Sequence, residues 1–349
     1  MAELDRLWPQ EDRTGPLGLA VSGGADSLAL LLLGAAAMPD DIAVMSVDHG
    51  LRAQAAQEVA LVESVCANLG VHFTPATIKL APGNVQARAR EARYDALARW
   101  AGAEGLGAVA SAHHANDQAE TVLMRLARGS GVSGLAGVRA FGTLPDSDVA
   151  LVRPLLGFVK RELEQVVHDC GLDPVRDPSN ADTAFDRVRV RQHLAQHTWL
   201  DPHALTKSAE HLAESWRAIE WYAEMDFEEM VERTDPAIGD PAIGAPGDGA
   251  PADIGSDATG EGGHDIGPSF RYICNVPRAI QVETVRRIVA ELGGRVTRSE
   301  AGRAADRLWR GENASLGGVL AVAGSAPLEG TPLTVRVWHF RLEPPRRAH

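Results

Sequence analysis

The stretch Leu17-Gly18-Leu19-Ala20-Val21-Ser22-Gly23-Gly24-Ala25-Asp26-Ser27 runs apolar, breaks at two glycines, and leads into a second apolar run from Leu28 to Met38. A short apolar run ending at glycine reads as a buried strand, and the longer run after it as a buried helix. Strand, glycine loop and helix in that order open an α/β unit. The same rhythm continues outward, with strands expected at Leu17 to Val21, Ile42 to Asp48, His72 to Ile78 and Gly107 to His113. Helices are expected near Ser27 to Ala37, Gln54 to Leu69, Val85 to Ala103 and Asn116 to Arg128. Alternation of this kind builds a doubly wound parallel sheet with helices on both faces, the α/β class.

After about residue 150 the alternation stops. A mostly helical pattern runs from Phe158 through Asp235, broken at Asp177 to Asn180, and reads as a smaller second domain. Residues 236–267 are rich in Gly, Pro, Ala and Asp and contain part of a doubled DPAIG at 235–239 and 240–244. Such a composition cannot offset chain entropy by burial, so it is expected to be a disordered acidic insertion. Residues 268–349 are expected to complete the second domain with a helical pair and a short β segment, Gly317 to Val322 with Leu333 to Phe340. The first domain is thus 1–150, the second 151–235 resumed at 268.

The net charge of −13 over 349 residues argues against a nucleic-acid partner until its distribution is considered. Residues 226–267 hold eleven acidic residues and one arginine, which leaves about −3 on the remainder. No apolar run near the N-terminus is long enough to span a bilayer, so no membrane association is expected. Cys66, Cys170 and Cys274 are too far apart in sequence for a metal-ligand cluster and suit a reducing cytoplasm. Oligomeric state stays open, a homodimer included.

In doubly wound sheets ligands bind beyond the carboxyl ends of the strands, so the residues after Val21, Val47 and Ala112 should converge on one crevice. Ser22, Gly23, Gly24, Ala25, Asp26 and Ser27 form a phosphate site in this reading: glycine lets the backbone approach an anion, and helix N-terminal amides point at it. Asp26 would repel bare phosphate, which suggests Mg²⁺ joining the two. Asp117 and Glu120 are spaced i, i+3, on one helix face at the crevice mouth, where they can bind an ammonium group or accept its proton. His113 and His114 crowd the same turn, and on a continuing strand only one could face the crevice.

The motifs together resemble a known family. SGGADS resembles the PP-loop of the N-type ATP pyrophosphatases, with a Rossmann-like domain. DHGLR at Asp48 to Arg52, NVQARAREARY at Asn84 to Tyr94, AHHANDQAETVLMRLARGSG at Ala112 to Gly131 and RPLL at Arg153 to Leu156 are similar to the tRNA(Ile)-lysidine synthetases. The resemblance covers residues 15 to 200, with a weaker echo near Ser315 to Val322. It implies an enzyme that uses ATP to adenylate the C2 oxygen of the wobble cytidine in an isoleucine tRNA with a CAU anticodon. Free lysine then displaces AMP, changing the codon read from AUG to AUA.

The resemblance implies that Asp48 and His49 lie by adenine and ribose, and that Asp117 and Glu120 hold the incoming lysine. Asp26, Asp117, Glu120 and Arg128 are the expected catalytic set. Arg90 and Arg128 are expected to contact ATP phosphate or the target nucleotide, whereas Arg93 and Arg125 read equally well as solvated helix-face charges. Arg187, Arg189 and Arg191, with Arg153, Lys160 and Arg161 upstream, are candidates for tRNA backbone contact alongside Arg90. Val188 stands where the family pattern usually has asparagine. Longer members carry extra C-terminal domains that help grip the tRNA, so recognition here is expected to rest on the first two domains and the short tail.

Overall fold

The computed structural model describes residues 1–48, 55–78, 85–175, 186–234, 268–328 and 330–343. They form two compact units, Met1–Ser215 and Trp216–His349. In the first, β1 (Leu17–Ala20) lies between β2 (Ile42–Asp48) and β4 (Ala108–Ser111), and β3 (His72–Thr77) flanks β2, all parallel. The sheet runs on past the fourth strand. β6 (Ala150–Val152) pairs parallel with β4, and β5 (Phe141–Thr143) closes that edge antiparallel.

Period-two burial sets the two faces. Leu17 and Leu19 of β1, Ile42 and Val44 of β2, and Ala108 and Ala110 of β4 pack with helices α1 (Ala2–Leu7), α2 (Ala25–Ala37), α3 (Ala55–Leu69) and α7 (Lys160–Asp169). Ala43, Met45 and Val109 face the other way, onto Tyr94, Leu97, Trp100 and Ala101 of α4 (Val85–Glu104). Gly18 is required where α4 crosses β1, because a Cβ there would lie 2.7 Å from both Leu106 and the Trp100 ring.

Three further helices bound the crevice side: α5 (Ala115–Leu126), the short α6 (Val132–Leu135) and α8 (Asp186–Gln196). The long α9 (Pro202–Met230) begins in the first unit and ends in the second.

The second unit combines helices with a sheet. It holds a five-stranded antiparallel sheet in the order β7-β8-β11-β10-β9, from β7 (Val231–Thr234), β8 (Ser269–Ile273), β9 (Ala314–Leu316), β10 (Val319–Pro327) and β11 (Thr334–Leu342). Two helices, α10 (Arg278–Glu291) and α11 (Arg298–Trp309), share its core, where Tyr272 meets Trp338 edge to face at 5.6 Å. Asp226 of α9 is buried there and accepts hydrogen bonds from the Tyr272 and Thr284 hydroxyls, both at 2.7 Å. The acidic stretch 236–267 lies outside the described residues.

Candidate active site

Strand order reverses at β1, whose two neighbours lead away in opposite directions, so the crevice beyond β1 and β4 is where this topology places a ligand. A cavity of about 450 Å³ opens there, lined by Ser22, Gly24, Asp26 and Ser27 from the loop and by His113 and Asp117 from the end of β4 and the start of α5. Gly23 has φ +82°, and a Cβ on it would meet the Glu58 carbonyl at 3.1 Å. Gly24 is extended and caps α2, with nothing but the Ser22 hydroxyl within 4 Å of where a Cβ would stand. The Ser27 hydroxyl accepts from the Ser22 amide at 3.1 Å and donates to the Gly24 carbonyl at 2.9 Å. It therefore braces the loop, while the first amides of α2 have no partner within their helix.

Asp26, in the first turn of α2, is linked to α5 through His114. The Nε2 of His114 lies 3.4 Å from Asp26 Oδ2 and 3.5 Å from Asp117 Oδ2. That imidazole is only 4 % exposed. Burial opposes its charge, but the hydrogen bond with Asp26 and the nearby Asp117 carboxylate raise it above the ordinary histidine value. Burial likewise opposes ionisation of Asp26, and the His114 hydrogen bond overcomes that to hold it below the usual carboxylate range. His113 lines the cavity, bonds to the Ser111 hydroxyl at 3.0 Å, and is pushed down to about 4 by burial. The strand alternation argument does not reach these histidines, because β4 ends at Ser111, before them.

The N-terminus of α5 is fixed from three directions. The His114 amide donates to Asp117 Oδ2 at 3.2 Å, the Ala115 amide to the Phe158 carbonyl at 2.8 Å, and Asn116 Oδ1 accepts from the Lys160 amide at 2.9 Å. Along its side runs α8. Arg187 donates from Nη2 to Asp117 Oδ1 and from Nε to Glu120 Oε2, both at 2.6 Å, and Arg191 donates from Nε to Glu120 Oε1 at 2.7 Å.

The arrangement of loop, helix terminus and carboxylates has counterparts. A PP-loop domain family matches residues 2–198. Across 98% of its length the chain is 41% identical to a tRNA(Ile)-lysidine synthase of Novosphingobium aromaticivorans, covering 93% of that protein. The chain belongs to the tRNA(Ile)-lysidine synthase family. The enzyme of that name from Zymomonas mobilis is 43% identical over 212 residues, which is 60% of this chain and 64% of the relative. Among solved structures, the U34-tRNA thiolase NcsA from Methanococcus maripaludis shares the fold with a TM-score of 0.51 at 17% identity, covering 61% of this chain and 78% of that one.

Against the expectations for a tRNA(Ile)-lysidine synthase, Asp26 and Asp117 meet at one cavity. Asp48 ends β2, beyond the cavity lining, and His49 lies outside the described residues. Arg90 is exposed over the Tyr94 ring at 5.2 Å, and it is Arg93, one residue before Tyr94, that lines the cavity. Helical phase could have shown this, since Arg93 precedes Leu97, Trp100 and Ala101 on the buried stripe. Arg125 is no solvated charge: it donates to the Gly134 and Gly137 carbonyls at 2.7 and 3.0 Å and ties down the loop around α6.

Arg128, 64 % exposed, stands off the cavity and pairs with Asp186 at 3.3 Å, and Arg189 pairs with the same carboxylate. Arg153 is buried and donates to the Arg139 carbonyl at 2.6 Å, so it is not open to an RNA backbone. Arg187 and Arg191 were expected on an RNA-facing surface and Glu120 at the crevice mouth. Because α8 packs along α5, they are instead one another's partners.

A Mg²⁺ ion suits this family's use of ATP, and the residues fit one. Asp26 Oδ1 is buried with no hydrogen-bond partner, at a cavity wall where Gly24 leaves room for phosphate. Among the described residues no cluster of three or more His, Cys, Asp or Glu could hold a metal, so phosphate oxygens and water would complete the shell.

Proposed function

We propose that this chain ligates lysine to C2 of the wobble cytidine in the CAU-anticodon isoleucine tRNA, consuming ATP and releasing AMP and pyrophosphate. The cytidine C2 oxygen attacks the α-phosphorus of ATP and pyrophosphate leaves. The ε-amine of lysine then adds at C2, AMP departs with the oxygen, and the amine gives up its protons. The observation that carries this reading is the shared cavity, in which the phosphate-binding loop, Asp26 and Asp117 are held within reach of one ligand.

Each residue has a task in that chemistry. The loop from Ser22 to Ser27 cradles the pyrophosphate, with amides in place of bulk cations. Asp26 would hold Mg²⁺, which supplies positive charge to the leaving phosphates. His114 keeps Asp26 and Asp117 in register. Asp117, on the cavity wall, faces the lysine ammonium group. Arg90, Arg128 and Arg189, all exposed, are the candidates in this reading for contact with tRNA phosphate. Three free thiols suit a reducing cytoplasm, and among the described residues no helix is long and apolar enough to cross a membrane.

Asp26→Ala should leave the far-ultraviolet circular dichroism unchanged while removing pyrophosphate release from ATP and the isoleucine transcript. An unaltered release rate would dispose of the role given to Asp26.

A further inference from the structure

We infer that Glu120 is a positioning residue that aims Arg187 at the phosphates of ATP, and that it does not bind lysine. The inference rests on the lysidine-forming reading above and reassigns one residue within it. Glu120 is 1 % exposed and does not line the cavity, although Asp117, one turn earlier on α5, does. Both of its oxygens are already taken. Oε2 accepts from Arg187 Nε at 2.6 Å and from Arg191 Nη2 at 3.4 Å, and Oε1 accepts from Arg191 Nε at 2.7 Å. A lysine ammonium would have to displace a guanidinium from a carboxylate that is buried, already paired and outside the cavity lining.

Arg187 has the opposite surroundings. Its side chain is 41 % exposed and lines the cavity together with the phosphate-binding loop. Nε is committed to Glu120 and Nη2 to Asp117, while Nη1 has no hydrogen-bond partner among the described residues. Two carboxylates on α5 therefore fix the plane of the guanidinium and leave one edge for a ligand. Arg93 of α4 lines the same cavity, so two guanidinium groups border the place where the loop amides converge. That is a setting for phosphate, two of whose tetrahedrally arranged oxygens can be met together by the planar fork of a guanidinium, as a point-charge ammonium cannot do.

The step served is the first one. As the cytidine oxygen bonds to the α-phosphorus, the bond to the bridging oxygen breaks and its electron pair passes to the departing pyrophosphate. A preorganised donor near those oxygens stabilises charge that develops only then. Arg191 contributes by holding the second Glu120 oxygen, which keeps the carboxylate from rotating away from Arg187.

The test uses the full chain with the isoleucine transcript and two readouts: single-turnover pyrophosphate release without lysine, and the KM for lysine. Glu120→Gln and Arg187→Lys should each slow pyrophosphate release by about 10²-fold, with the KM for lysine within about twofold of wild type. The double variant should be no slower than Arg187→Lys alone, because the two residues act as one unit. Arg187→Lys should also weaken product inhibition by pyrophosphate. Normal pyrophosphate release in Glu120→Gln with a raised lysine KM would overturn the assignment. So would additive losses in the double variant. If Glu120→Gln does not fold, the Arg187→Lys rate, lysine KM and pyrophosphate inhibition decide the matter. Wild-type protein that releases pyrophosphate but never incorporates lysine would fault the lysidine reading, not this one.

Discussion

The two glycines of the phosphate loop should respond oppositely to one added methyl group. Gly23 has φ +82°, where an L-residue costs about 1–2 kcal/mol, and a Cβ there would press on the Glu58 backbone at 3.1–3.2 Å. Gly23→Ala should therefore lower the stability of the first unit by about 2 kcal/mol, or about 4–8 °C in Tm. Gly24 has φ −76° and ψ 160°, which alanine adopts freely, and its nearest neighbour would be Ser22 Oγ at 3.8 Å. Gly24→Ala should leave stability within about 0.5 kcal/mol. Its methyl group, however, would stand where an anion must approach the α2 amides, and ATP affinity should fall by at least about tenfold, or about 1.4 kcal/mol. Urea denaturation of the apoprotein and calorimetric titration with ATP separate the two effects. Undiminished ATP binding in Gly24→Ala, or undiminished stability in Gly23→Ala, would refute the loop geometry.

Two further outcomes follow from burial. The imidazole of His113 is held near 4 in the fold but titrates near 6.5 when unfolded. The folded chain then binds fewer protons in between, so its contribution is complete above about pH 6.5 and is lost as pH falls toward 4, by up to about 3 kcal/mol. Urea midpoints at pH 7.5 and 5.0 should converge in His113→Gln relative to wild type, and an equal drop in both proteins would contradict this. Burial raises Cys66 to about 11 and Cys274 to about 12, whereas Cys170 is exposed. An aromatic disulfide reagent at pH 8 should find one thiol in the native protein and three after denaturation. A second fast thiol would show that one of the cores is open.

The parallel sheet was legible because its signals are local. β1, β2 and β4 are short, largely apolar runs, and Ser22 to Ser27 combines glycine with hydroxyl and carboxylate at a strand end. What the sequence hid is non-local. β7 and β8 pair across the residues 235–268, so neither looks like half of a hairpin, and Val231 to Thr234 reads as the tail of a helix. β5 and β6 are three residues each, too short for periodicity to register. Glu120 and Arg187 are 67 positions apart, and the i, i+3 spacing that makes Asp117 and Glu120 look like a pair says nothing of a helix arriving alongside. Once α8 packs there, the pair divides: Asp117 keeps the cavity and Glu120 is covered.

The most direct measurement of the central claim follows radiolabelled lysine, with ATP, into two transcripts: isoleucine tRNA with a CAU anticodon, and elongator methionine tRNA. The account predicts lysine entering the isoleucine transcript alone, with AMP and pyrophosphate formed in equal amount. Cleavage of ATP with no lysine in either RNA, or equal labelling of both, would contradict it.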